Sequence, residues 1–131
     1  SPQPVGKVAS GGELSRLMLA VKALIAEHTA LPTIIFDEID TGISGEVALR
    51  VGDILAQLGA NMQVIVISHL PQIASKGDVH YKVFKTEADG KTRTGMVLLD
   101  EQARVIEIAQ MLSGAEPGKA ALDHARTLLA E

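Results

Sequence analysis

The sequence has no cysteine and no tryptophan, and its aromatics amount to one tyrosine and two phenylalanines in 131 residues. Without cysteine there is no disulfide and no thiolate metal site. With so few aromatics, the core must come from Leu, Ile, Val and Ala, which the 47% apolar content supplies. There is no long apolar run and no leader-like segment, which points to a cytoplasmic protein without membrane contact. A basic excess is also missing. The net charge is −4 with both signs interspersed, so the chain lacks the basic stripe of a main nucleic-acid surface. No internal repeat or low-complexity segment breaks it up, and its length suits one domain or part of one.

What is present centres on Thr33-Ile34-Ile35-Phe36-Asp37-Glu38-Ile39-Asp40-Thr41-Gly42. The apolar run has the length of a strand buried on both faces, and it leads directly into two adjacent carboxylates. In open α/β sheets, ligands sit beyond the carboxyl ends of strands. One acid there can hold Mg²⁺ through its waters, while its neighbour orients or deprotonates a nucleophilic water. The plainer reading is a strand ending in solvated acids.

Upstream, Ser10-Gly11-Gly12-Glu13 forms a capping box that starts a helix running to about Thr29, before Pro32. Leu14, Leu17, Met18, Val21, Leu24, Ile25 and His28 make its apolar stripe. Two glycines at a helix N-terminus let backbone N–H groups approach an anion such as phosphate. They also serve simply as flexible entry to a capped helix. Downstream, a helix from about Glu46 to Leu58 should bury Val47, Val51, Ile54, Leu55 and Leu58, with Gly59 closing it. Gln63 to Ser68 reads as a buried parallel strand. The resulting βαβ unit brings Ser68-His69 to the same sheet end as Asp37-Glu38, and Pro71 opens a short helix. A histidine there can contact a phosphate, or it can be structural.

From Val79 the pattern changes. Val79 to Thr86 and Thr92 to Leu99 flank Ala88-Asp89-Gly90-Lys91, a β-hairpin. Lys82, Lys85, Lys91 and Arg93 make it mildly basic, either as a solvated face or as a minor partner contact. Helices over Glu101 to Leu112 and about Pro117 to Ala130 complete the chain.

One part of a nucleotide site is missing. The phosphate loop reads G-x-x-x-x-G-K-[ST]. Gly90-Lys91-Thr92 has its last three residues, but Lys85 stands where the first glycine must be. Gly118-Lys119 precedes Ala120, and Gly6-Lys7 precedes Val8. If this chain serves an ATPase, half of the site lies on another stretch of polypeptide.

Together the motifs resemble those of ABC-type ATPases. Ser10-Gly11-Gly12-Glu13-Leu14-Ser15-Arg16 is similar to the signature motif, and Ile34-Ile35-Phe36-Asp37-Glu38 to the Walker B strand. Asp40-Thr41-Gly42 is similar to the D-loop and Ser68-His69 to the switch histidine, in the same order. Within that class, Val8 to Arg16, Phe36 to Gly45 and Ser68-His69-Leu70-Pro71-Gln72 resemble the RecN family, SMC-like ATPases of bacterial DNA repair. So does the ending from Val105 through Met111-Leu112-Ser113-Gly114 to Ala125.

The resemblance implies an α/β fold, the C-terminal lobe of an ABC-type head, with a parallel βαβ core followed by a β-hairpin and helices. It implies ATP and Mg²⁺ as cofactors. Ser10, Gly11, Gly12 and Glu13 would meet the ATP held by an opposite head, and Asp40 would couple the two sites. Asp37 would hold the metal, Glu38 would position the attacking water, and His69 would bind the γ-phosphate. The implied partners are the N-terminal half of the same head, which carries the phosphate loop, and a second head. DNA would be reached through the full-length protein, placing it in the cytoplasm at the nucleoid. Alone, the chain is expected to be inactive, with an exposed apolar edge along Gln63–Ser68 that favours self-association. Two other readings are a Mg²⁺-dependent nuclease or topoisomerase-like domain using Asp37, Glu38 and Asp40, and a non-catalytic interaction module.

Overall fold

The computed structural model describes residues 17–25 and 32–131. The chain divides between Lys76 and Gly77 into two compact units. In the first, residues 17–25 are helical. Strand β1 (Thr33–Asp37), helix α1 (Gly45–Gly59), strand β2 (Gln63–Ile67) and the short helix α2 (Pro71–Ala74) follow. β1 and β2 pair in parallel with Thr33 opposite Gln63 and Asp37 opposite Ile67, as the βαβ reading requires.

The first core forms where one face of this sheet meets α1. Ile34 and Phe36 point into it, with Phe36 wholly buried. Ala48, Val51 and Leu55 meet them at helical spacing, and Ile73 of α2 joins the cluster. Ser44 enters α1 in extended conformation, and exposed Glu46 and Arg50 pair one turn apart at 2.9 Å.

Burial is one-sided, and here the structure corrects the expectation. β1 alternates exposed and buried rather than being covered on both faces. Ile35, Ile65 and Ile67 lie 55, 42 and 52% exposed. The same applies to α1, whose Ile54 is exposed while Ala48 is buried in its place. In the helical stretch 17–25, Leu17, Met18, Val21, Leu24 and Ile25 are exposed, and Leu19 joins the core. An apolar stripe is buried only where another layer lies over it, and among the described residues α1 covers a single sheet face. Lys22 sits over the Phe36 ring, 5.3 Å from its centre.

The second unit begins with β3 (Tyr81–Ala88) and β4 (Lys91–Leu98), an antiparallel hairpin. Its turn is the two-residue Asp89-Gly90, with φ of 53° and 72°. Both central residues of such a turn take positive φ, which Asp-Gly tolerates. The strands therefore run closer to the turn than the four-residue loop expected from sequence. Helix α3 (Glu101–Ser113) starts at Asp100, whose carboxylate accepts from the Ala103 N–H at 2.8 Å. It ends at Gly114 in left-handed conformation. Helix α4 (Lys119–Ala130) packs on it through Ile108, Ala109, Ala125 and Leu128, all buried. Lys82 of the hairpin is not a free basic group, because it pairs with Glu107 at 2.8 Å. No helix among the described residues is long and apolar enough to cross a membrane.

Candidate functional site

The acids and the histidine meet at the carboxyl end of the parallel pair. The ladder continues one step beyond β1, where the Glu38 N–H donates to the Ile67 carbonyl at 3.2 Å. That bond sets Glu38 beside Ser68-His69, residues that follow β2. The loop from Glu38 to Ser44 is held by residues that point inward. Ile39, Asp40 and Ile43 are buried, whereas Glu38, Thr41 and Gly42 are exposed. The Thr41 hydroxyl donates to the Glu38 carbonyl at 3.2 Å, and the Ile43 N–H to the Asp40 carbonyl at 3.3 Å.

Glu38 itself has φ of +55°, in the left-handed region. For a side chain without a local hydrogen-bonding role there, that conformation costs on the order of 1 kcal/mol. The inward anchors on one side and the ladder bond on the other hold it. The result is a carboxylate presented to solvent from a rigid backbone, next to the exposed Asp37.

Asp40 behaves differently. Its side chain is buried, and its Oδ2 accepts from the Ser68 hydroxyl at 2.7 Å and from the His69 N–H at 2.8 Å. His69 Nδ1 lies 3.2 Å from the same oxygen. Ser68 Oγ in turn accepts from the Leu70 N–H at 3.1 Å. Asp40 thus ties the loop after β1 to the turn after β2. The His69 ring stays largely exposed beyond that tie.

A metal at this site would rest on few protein atoms. Among the described residues, no three His, Cys, Asp or Glu side chains converge to hold an ion. A single exposed carboxylate, Asp37, fits Mg²⁺, which keeps several waters and takes one or two carboxylates with phosphate oxygens. It does not fit a cluster of three acids, because Asp40 is turned inward onto Ser68 and His69.

Of the residues singled out from sequence, Asp37, Glu38, Asp40 and His69 come together at one sheet end. Ser10, Gly11, Gly12 and Glu13 lie outside the described residues. Ser68 carries a role that sequence reasoning missed, as the donor that binds Asp40. The only signal for it was a hydroxyl immediately before the histidine.

No family model matches the chain. It is similar to the DNA repair protein RecN of Haemophilus influenzae, 46% identical over 128 residues, covering 98% of this chain and 23% of that protein. The RecN of Xylella fastidiosa is 48% identical over 130 residues, 99% of this chain and 23% of that protein. The RecN of Halalkalibacterium halodurans is 42% identical over 127 residues, 97% of this chain and 22% of that protein. The chain therefore spans about a quarter of the length of the curated relatives it matches. Among solved structures it is similar to the SMC head domain from Thermotoga maritima, with TM-score 0.58 and 26% identity. That match covers 72% of this chain and 34% of that one. An SMC ATPase described for ATP-driven dimerization and DNA-stimulated activation matches with TM-score 0.59 and 25% identity, over 74% of this chain and 58% of that one. The parallel pair and antiparallel hairpin are the α/β architecture of the C-terminal lobe of such heads.

Proposed function

We propose, on the premise that this chain is a RecN-type segment corresponding to the C-terminal part of the ATPase head, that it supplies half of a composite ATP site. The whole site would hydrolyse ATP to ADP and phosphate, closing two heads on ATP and releasing them afterwards, in DNA double-strand break repair and recombination. The observation that carries this reading is the sheet end itself. Two exposed acids on a rigid turn stand beside a histidine held from the neighbouring parallel strand.

Each residue then has a task. Asp37 would hold Mg²⁺ through water, and the bound ion supplies charge neutralisation at the phosphates. Glu38 orients the attacking water, and its exposed carboxylate leaves room for one. His69 contacts the γ-phosphate. Ser10, Gly11 and Gly12, with Glu13 in the capping box, would meet the nucleotide held on a second head. Asp40 links these groups through the Ser68-His69 turn. The phosphate loop comes from the N-terminal half of the head, and DNA is engaged by the full-length protein. A three-acid nuclease centre is disfavoured by the inward Asp40 carboxylate.

The test is Mg²⁺-dependent ATP hydrolysis by this chain alone and mixed with a polypeptide carrying the phosphate loop of the same head. Activity is expected only in the mixture. Glu38→Gln should abolish hydrolysis while leaving ATP-driven dimerisation intact. Hydrolysis by this chain alone that survives Glu38→Gln would refute the assignment, and so would Mg²⁺-dependent DNA cleavage without ATP.

A further inference from the structure

We infer that Asp40 is a positioning residue for His69, fixing its ring so that Nε2 is the nitrogen presented at the sheet end. The inference deepens the reading above, since it rests on His69 being the phosphate contact. The argument starts from burial. Asp40 is 1% exposed, and its donors all reach Oδ2, while its buried Oδ1 has no hydrogen-bond partner among the described residues. Two donors converge on Oδ2, the Ser68 hydroxyl at 2.7 Å and the His69 N–H at 2.8 Å, and His69 Nδ1 lies 3.2 Å from the same oxygen. His69 thus meets this oxygen twice, through its backbone N–H and through the approach of its ring.

An exposed imidazole with no such neighbour rotates and exchanges tautomers. The carboxylate changes both properties. It favours the form with a proton on Nδ1, because the other form would set the Nδ1 lone pair against a carboxylate oxygen 3.2 Å away. It also holds the ring at a fixed torsion, because the backbone N–H of the same residue is anchored to the same oxygen. Ser68 locks the arrangement from the other side, giving its proton to Asp40 and taking the Leu70 N–H. His69 therefore reaches the site with its orientation already set, and the cost of ordering it is met when the chain folds rather than when phosphate binds.

The test is ¹⁵N NMR of the His69 ring in this chain, with hydrolysis measured in the complete head. In the wild type, a fixed Nδ1–H tautomer is expected. In Asp40→Asn, the ring should shift towards the Nε2–H form that predominates in free histidine. Nε2–H as the major form in the wild type would overturn the inference without any variant, so an unfolded Asp40→Asn does not spoil the test. An unchanged tautomer in a folded Asp40→Asn would overturn it equally. In the complete head, Asp40→Asn should lower hydrolysis by about tenfold, the factor one charge-assisted hydrogen bond is worth. Adding it to His69→Ala should cost nothing more, and fully additive losses would refute action through His69. If the tautomer responds as expected but His69→Ala hydrolyses ATP normally, the positioning stands and the phosphate role of His69 falls.

Discussion

Gly52 lies in the middle of α1, where the helix presses against α2 and the segment that follows it. A Cβ added there would sit 2.9 Å from the Gln72 carbonyl oxygen, 2.9 Å from Lys76 Cγ and 3.6 Å from Ile73 Cα. Two effects oppose each other in Gly52→Ala. Alanine is better than glycine in a helix interior by about 1 kcal/mol. Overpacking a closed contact costs about 1–3 kcal/mol. The Lys76 side chain can swing aside, giving up its 3.1 Å pair with Asp53, worth under about 1 kcal/mol since Asp53 is well exposed. The Gln72 carbonyl is backbone and has no such freedom, so the overpacking term should win. We expect a net loss of about 1 kcal/mol. Urea unfolding followed by NMR signals of α1 would measure it. Repeating the substitution in a Lys76→Ala background separates the two contacts, and most of the loss should remain. A gain of about 1 kcal/mol would show helix propensity acting alone and refute the close approach.

Three further outcomes follow from other parts of the chain. The pKa of His80 is lowered, chiefly by burial and then by the Arg104 charge, with Glu107 opposing. The unfolded chain therefore takes up this proton first as pH falls. Stability of the second unit should hold above about pH 6.5 and decline below it, and His80→Gln should flatten that decline in pH-dependent unfolding. Gly90 has φ of +72° with open space around it, so Gly90→Ala should cost about 1 kcal/mol from backbone conformation alone, read by Tyr81 fluorescence. Ile65 and Ile67 form part of an exposed apolar sheet face, so this chain should sediment as concentration-dependent oligomers, and Ile65→Lys with Ile67→Lys should shift it towards monomer. A wild-type chain that stays monomeric at high concentration would refute that reading.

Local patterns were legible where local forces decide them. The β-branched run of β2, the presence of the hairpin and the Gly114 helix stop each depend on residues close in sequence. The place of Ser68-His69 beside Asp37-Glu38 was also legible, because a βαβ crossover allows few arrangements. Which apolar residues are covered was not, because periodicity reports amphipathicity and not the presence of a second layer. Ile35 and Ile54 fit a buried pattern and are exposed for that reason. The inward turn of Asp40 was equally hidden. Its partners stand 28 and 29 residues away, and D-x-G reads the same whether the acid faces in or out.

The backbone of Glu38 has a consequence for anyone who redesigns this chain. A left-handed position suits glycine or asparagine better than glutamate. A procedure that ranks residues by conformational fit would replace Glu38 early, count the change as an improvement, and delete the carboxylate proposed to orient water. Position 38 should therefore be exempted from such ranking. Robustness is better sought on the exposed sheet face, where Ile35 and Ile67 take no part in the proposed chemistry.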